Sequence, residues 1–420
     1  MILAMRSFQR SQVEVLRERL SERPERLVAV FGPRQTGKTT AARQAVSSFA
    51  GRYEAVDEPD SIVPDPRPVT REPSGVGSRS MDRDVRWLAD VWEESRHEAR
   101  RSRRGFVLVL DEIQKIPGWS DAVKGLWDVD RAEGCPLHVV VLGSAPLLMQ
   151  SGLNESLAGR FEPIRFTHWS YTEMAETFGF DLDRYVFFGG YPGAASLVHD
   201  QERWSGYVRD ALIEPIIERD VLAMTRVDKP SLLKRLFDMG ALYSGQILSY
   251  NKMLGQLQDA GNTTTLTRYL KLLSDAGLLA GLPMYTERPV SARASTPKLN
   301  VLNTALMSAL SGYSFDEART DRTFWGRLVE SAAGAHLLNT AAPGTEVKYW
   351  RYRNHEVDFV LQRGPRTVGI EVKTGRMPVT TPGLAEFERR VRPHKTLVVG
   401  TEGEPLHEFL SVPADHWFGI

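Results

Sequence analysis

An α/β fold organised on a parallel sheet is what this sequence predicts for its N-terminal part, on three observations. The apolar run Leu27-Val28-Ala29-Val30-Phe31 stops abruptly at a glycine-containing loop. Two further apolar runs, 106–110 and 137–142, have the continuous character of strands buried on both faces. Around them the apolar spacing is helical: Phe8, Val13, Leu16 and Leu20 precede the first run, and the loop opens a helix over about 38–49. Strand, loop and helix thus alternate, as a sheet covered by helices requires.

The chain has 420 residues, more than one hydrophobic core usually organises, so two or three domains are expected. Lysine plus arginine (53) equals aspartate plus glutamate (53), so any affinity for nucleic acid must come from a local patch and not from net charge. Cys135 is the lone cysteine, which excludes an internal disulfide and a multi-cysteine zinc site and suits a reducing cytosol. The opening Met1-Ile2-Leu3-Ala4-Met5-Arg6 is too short in its apolar part for a signal peptide, and no stretch approaches the roughly 20 apolar residues of a membrane span. A soluble, cytoplasmic protein without a membrane partner is the expectation. Residues 57–80 collect Pro59, Pro64, Pro66, Pro68, Pro73, Gly75 and Gly77 without periodicity and predict a long loop.

Gly32-Pro33-Arg34-Gln35-Thr36-Gly37-Lys38-Thr39 fits G-x-x-x-x-G-K-[ST] at every fixed position, between a strand and a helix. In that setting loop N–H groups and the helix start cradle phosphates, Lys38 reaches the β and γ oxygens, and the Thr39 hydroxyl ligates magnesium. The strand 106–110 ends in Asp111 and Glu112. Asp111 is expected to hold Mg2+, directly or through water, and Glu112 to polarise the attacking water. The strand 137–142 ends in Gly143-Ser144, where Ser144 is either a sensor of the γ-phosphate or an ordinary helix start.

Gly32 through Thr40, Leu110-Asp111-Glu112-Ile113-Gln114, Gly143-Ser144, Leu157-Ala158-Gly159-Arg160 and Gly189-Gly190-Tyr191-Pro192 occur in this order. Together they resemble a large bacterial and archaeal group of AAA-type P-loop ATPases with a C-terminal domain of unknown function. The resemblance implies ATP as the nucleotide, and no guanine-reading N-K-x-D motif is present. It also places Leu157-Ala158-Gly159-Arg160 close to the nucleotide, which makes Arg160 a candidate arginine finger acting in cis or from a neighbouring subunit. In that family the stretch 297–303 tends to be an aromatic strand ending in aspartate; here Asn303 stands at its end, without a carboxylate.

Residues 231–285 read as three helices (231–243, 248–258, 263–276) and a strand, 278–282. Asn262 or Thr263 is placed to cap the third helix, whose apolar Leu266, Tyr269, Leu270 and Leu273 leave Thr265, Arg268 and Lys271 facing out. With Arg288 and Arg293 in the following turn, the unit resembles a winged helix-turn-helix, which serves DNA or protein contacts alike.

Beyond it a helix over 323–339 precedes strands 346–352, 355–361 and 368–373, a helix near 383–391 and a strand 395–399. This order resembles restriction-endonuclease-like cores. Strand alternation sets Glu371 and Lys373 on one face, with Asp358 on the preceding strand, the D…E-x-K layout in which two carboxylates bind a divalent metal and a lysine positions water. Glu330, on the first helix, sits where such folds bring a further carboxylate. A salt-bridged strand pair is the alternative.

The expected architecture is therefore a P-loop ATPase domain (1–167), a helical and winged-helix-like region (168–312) and a small α/β nuclease-like domain (313–420). The expected activity is ATP hydrolysis with Mg2+, coupled to action on double-stranded or branched DNA, with a homo-oligomer compatible. The rival is a nucleotide-dependent switch or scaffold for a protein partner, with an inert C-terminal domain.

Overall fold

The computed structural model describes residues 8–57, 83–102, 105–144, 149, 153, 156–222, 227–257, 261–286, 296–375 and 381–419. Nearly all of the proline-rich stretch, and Arg288 and Arg293, lie outside the described residues. Two compact units divide the chain: one comprises Gln9–Gly32 and Gly37–Phe166, the other Phe8, Pro33–Thr36 and the chain from Thr167 onward.

In the first unit, helix α1 (Ser11–Ser21) leads into β1 (Leu27–Phe31), which feeds α2 (Lys38–Val46). Then come β2 (Gly51–Ala55), α3 (Val85–Arg101), β3 (Phe106–Asp111), α4 (Trp119–Glu133), β4 (Leu137–Gly143) and β5 (Phe161–Arg165). The five strands are all parallel, in the order β2-β3-β4-β1-β5. Leu108 and Leu110 of β3 pack into one core with Trp92 and Trp127; Val107 and Val109 pack into the other with Ala41 and Leu16. That alternation is why the central strands are apolar at every position. Since β4 lies between β1 and β3, the loop after β1 and the acidic end of β3 flank the C-terminal end of β4.

In the second unit, α5 (Tyr171–Phe178), α6 (Leu182–Phe188) and α7 (Gln201–Gly206) precede α8 (Pro230–Leu242), α9 (Tyr250–Gln256) and α10 (Thr263–Asp275). Asn262 is the α10 cap, its Oδ1 accepting from Thr265 N at 2.9 Å. Strands β6 (Leu279–Leu282) and β7 (Lys298–Val301) pair antiparallel, and Ile247, between α8 and α9, bridges to Lys298. Helices α11 (Ala305–Ser311), α12 (Phe315–Thr320) and α13 (Arg322–Thr340) lead into β8 (Thr345–Tyr352), β9 (His355–Arg363), β10 (Arg366–Lys373), α14 (Pro382–Val391) and β11 (Lys395–Gly400). Their sheet has the order β11-β10-β9-β8, with β10 and β11 parallel and the other pairs antiparallel. No helix among the described residues is long and apolar enough to cross a membrane.

Candidate functional site

The loop Gly32–Thr39 leaves β1 where no side chain fits: a Cβ on Gly32 would lie 2.0 Å from the Phe166 carbonyl oxygen. Gln35 (φ 60°) and Gly37 (φ 86°) are both left-handed, and such alternation turns successive N–H groups toward one centre, an anion-binding geometry at a helix start. Lys38, the first residue of α2, is buried and its Nζ donates to Gly32 O at 3.0 Å, folded over the loop. Thr39 Oγ1 donates to Asp111 Oδ2 at 2.7 Å, so the hydroxyl and carboxylate read from distant motifs meet directly. The loop's middle groups with the second unit: Trp169 Nε1 donates to Thr36 O at 3.1 Å, and Tyr207 OH to Gln35 Oε1 at 2.7 Å. Pro33 and Arg34 are half-buried beside them, and Thr40 continues α2.

Glu112, at the end of a strand bearing two acids, has φ 57°, a strained conformation for a non-glycine residue. Its own N–H donates to Asp111 Oδ1 at 2.9 Å, and its Oε2 accepts from Gln114 Nε2 at 2.6 Å, with Lys115 Nζ 3.8 Å away. The carboxylate is thus held in one orientation. Gln114 is itself confined, because a Cβ on Gly143 would come within 2.7 Å of its Oε1. Ser144 follows β4, in the position between Gly32 and Asp111 that the strand order dictates.

Two members of this arrangement escape sequence reasoning. Tyr53, on β2, donates its OH to Asp111 Oδ2; burial, then the Asp111 charge, push its phenol far above the ordinary range, so it remains a neutral donor. Gln114 lies inside a motif but carries no chemical signal of its own; its role is visible only in the hydrogen bond to Glu112.

Arg160 requires a correction. Its carbonyl accepts from Leu27 N at 2.8 Å, at the start of β1, whereas the loop follows the end of β1. One strand of five residues, roughly 16 Å at 3.3 Å per residue, separates the two edges. The guanidinium is engaged with Asp128, Nε to Oδ1 at 2.7 Å and an Nη to Oδ2 at 3.1 Å. Arg160 is therefore not brought to the nucleotide loop of its own chain. Parallel pairing explains it: residues that begin β5 align with residues that begin β1.

In the second unit, Asp358 on β9 and Glu371 and Lys373 on β10 converge. Lys373 Nζ is 2.7 Å from Glu371 Oε1 and 4.0 Å from Asp358 Oδ2, and Asp358 Oδ2 also accepts from Val372 N at 2.8 Å. Glu330 comes in from α13, but Lys298 of β7, fully buried, arrives with it. Its Nζ is 2.6 Å from Glu330 Oε1, 3.3 Å from Asp358 Oδ1 and 3.4 Å from Glu356 Oε1. Of the carboxylates expected to hold a metal, Glu330 and Asp358 are thus paired with Lys298, and Glu371 with Lys373. Among the described residues no group of three or more acidic, histidine or cysteine side chains is arranged to hold an ion. Asn303 lies elsewhere, its Oδ1 accepting from Gly190 N (3.1 Å) and Ala305 N (3.2 Å) in a buried turn.

Burial lowers the tendency of Lys298 to hold its proton, but Asp358, Glu330 and Glu356 outweigh it and raise its pKa above the lysine range. Burial, reinforced by Asp358, pushes Glu330 and Glu371 each up to about 7. The native state therefore binds more protons than the unfolded chain between the ordinary value of 4.5 and about 7, so stability falls as pH rises through that window. Glu371→Gln removes one such group. Its melting temperature is expected to gain on wild type from pH 5 to pH 8; a difference constant with pH would contradict the shift.

Three family models match successive segments: an AAA domain over 24–175, a domain of unknown function (DUF8612) over 179–317, and a domain of unknown function (DUF4143) over 325–414. No curated protein matches the chain. Among solved structures, the Walker-type ATPase PABY2304 of Pyrococcus abyssi aligns at 15% identity over 72% of this chain and 95% of its own, with a TM-score of 0.45. ORC1 of Aeropyrum pernix in complex with DNA aligns at 15% identity over 74% and 93%, TM-score 0.28. The RuvB Holliday junction branch migration motor of Thermotoga maritima aligns at 18% identity over 68% and 96%, TM-score 0.29. Likeness this distant transfers no function. The AAA model covers the loop, the acid pair and the sheet that joins them. The protein is accordingly an ATPase of the AAA type through its domain at 24–175, and it carries a DUF4143 domain at 325–414.

Proposed function

We propose that ATP binding and hydrolysis here drive an action on DNA, contacted through the α8–α10 region. In this reading Lys38 and the loop N–H groups bind the phosphates, Glu112 takes the proton of the attacking water, and Ser144 senses the γ-phosphate. Thr39 and Asp111, a hydroxyl and a carboxylate 2.7 Å apart, form the oxygen donor set that suits Mg2+. Bound there, Mg2+ offsets the negative charge on the transferred phosphoryl group. Tyr53 and Gln114 keep the two carboxylates aimed.

The observation that carries the DNA reading is a surface groove of about 700 Å³ between the starts of α9 and α10. Ser249, Thr263, Thr264 and Thr267 line it with hydroxyls, and Arg268 and Lys271 supply two cations. Hydroxyls and cations on one helix face are the groups that grip a phosphate backbone. The element order supports the same conclusion, since helix, bridge at Ile247, two helices and the β6–β7 pair follow the winged-helix sequence, with α10 as recognition helix. The ion pair of Lys271 with Asp275 (3.0 Å) is exposed and exchangeable for a phosphate contact.

The test is a fluorescence polarisation titration of duplex and branched DNA, with and without ATP, at several salt concentrations. Wild type is expected to lose affinity steeply with salt. The double variant Arg268→Ala, Lys271→Ala is expected to flatten the slope of log K against log salt by about 2, at about 0.9 per phosphate contact. Salt-independent or absent binding would instead favour the rival, a nucleotide switch that engages a protein.

A further inference from the structure

The carboxylate cluster of the second unit asks what balances its charge. Glu330, Glu356, Asp358 and Glu371 face two cations, Lys298 and Lys373, around the centre of β9 and β10. Lys298 is fully buried, an arrangement that lysine almost never adopts unless paired. It reaches the cluster from β7, a strand outside the β8–β11 sheet, and its Nζ also lies 5.2 Å from the centre of the Phe359 ring.

A divalent ion in the same space needs several oxygens at about 2.0–2.6 Å. Four of the oxygens that would supply them already face an ammonium or a backbone N–H. Asp358 Oδ1 faces Lys298 at 3.3 Å and Asp358 Oδ2 accepts from Val372 N at 2.8 Å. Glu330 Oε1 lies 2.6 Å from Lys298, and Glu371 Oε1 lies 2.7 Å from Lys373. Glu371 Oε2 and Glu330 Oε1 are both buried without a hydrogen-bond partner, the latter held against the Lys298 ammonium at 2.6 Å.

We propose that the Lys298 ammonium is the resident cation of this cluster, standing where a nuclease-like arrangement would hold its divalent metal. The domain is thereby locked by an internal ion, β7 pinned to α13 and β9, and does not take up metal to cut phosphodiesters. Removing the ammonium by Lys298→Ala converts the cluster into a vacant cation site: three carboxylates lose their counter-charge at once, and the space of three side-chain carbons and a nitrogen opens among them. This inference stands whether or not the groove on α9 and α10 binds DNA, and its readouts involve no nucleic acid.

The experiment compares the nucleotide-free full chain, wild type and Lys298→Ala, with MnCl2 as the probe, by thermal unfolding and by electron paramagnetic resonance counting of bound Mn2+. Lys298→Ala is expected to melt on the order of 10 °C lower than wild type, to recover part of that loss in Mn2+, and to bind one ion that a second change, Glu371→Gln, abolishes. Wild type is expected to bind no Mn2+ that Glu371→Gln removes. The proposal is overturned if wild type binds such an ion, or if Lys298→Ala melts like wild type and ignores Mn2+. Should Lys298→Ala fail to fold, the comparison of wild type with Glu371→Gln decides alone.

Discussion

Replacing Lys38 by alanine is expected to lower ATP affinity by on the order of 100- to 1000-fold while the protein still unfolds as a folded chain. The magnitude follows from what the side chain does. Its ammonium sits over the loop, buried, and donates to Gly32 O at 3.0 Å. Phosphate oxygens compete well for that donor, because a hydrogen bond between two charged groups contributes about 1.5–3 kcal/mol, against about 1 for a neutral carbonyl. Two such bonds account for the expected loss. The cost to the fold is smaller, since the change removes nothing from either hydrophobic face of the sheet. Isothermal titration with a nonhydrolysable ATP analogue measures the affinity, and circular dichroism on the same sample measures the fold. Unchanged affinity would mean that this loop does not hold the triphosphate.

How much of this was legible beforehand depends on where each residue's partners lie in the chain. The strands β1, β3 and β4 are central, covered on both faces, and so appear as unbroken apolar runs. The edge strands β2 and β5 are not visible in that way. Gly51–Ala55 and Phe161–Arg165 are half exposed, with Arg52, Glu54, Glu162 and Arg165 interrupting the run. With β5 unread, nothing local fixes which edge of the sheet Arg160 occupies, and a motif-based expectation sends it to the wrong one. The meeting of Thr39 with Asp111 was legible because each belongs to a motif with its own chemistry; Tyr53 belongs to none.

Lys298 is hidden for a different reason. Within Lys298–Val301 the buried positions include Lys298 and Asn300, so the strand has no apolar signature. The groups that make burial of a lysine tolerable, Glu330, Glu356 and Asp358, lie from 32 to 60 residues downstream on α13 and β9. A D…E-x-K pattern can be read from spacing, whereas the cation that answers it comes from another element. The same fold that brings the expected carboxylates together therefore brings the residue that changes their meaning.

Glu112→Gln is expected to leave ATP affinity within a few-fold of wild type and to slow hydrolysis by roughly 10²- to 10⁴-fold, the usual contribution of a positioned general base. The substitution isolates charge from shape. An amide oxygen at that position can still accept from Gln114 Nε2, now 2.6 Å from Glu112 Oε2, and the backbone can keep its left-handed turn at φ 57°. What the amide lacks is a lone pair basic enough to take a proton from water. Asp111, one residue earlier, is committed to Thr39 and Tyr53 through a single oxygen and to the Glu112 N–H through the other, so it is poorly placed to substitute. Glu112→Gly supplies the control: it removes the strained non-glycine conformation together with the carboxylate, so a defect equal to that of Glu112→Gln assigns the loss to the missing base and not to the turn. Single-turnover measurement of phosphate release, with nucleotide binding measured in parallel, separates chemistry from affinity. Wild-type turnover in Glu112→Gln would place the base elsewhere, with Ser144 at the end of β4 the next residue to replace.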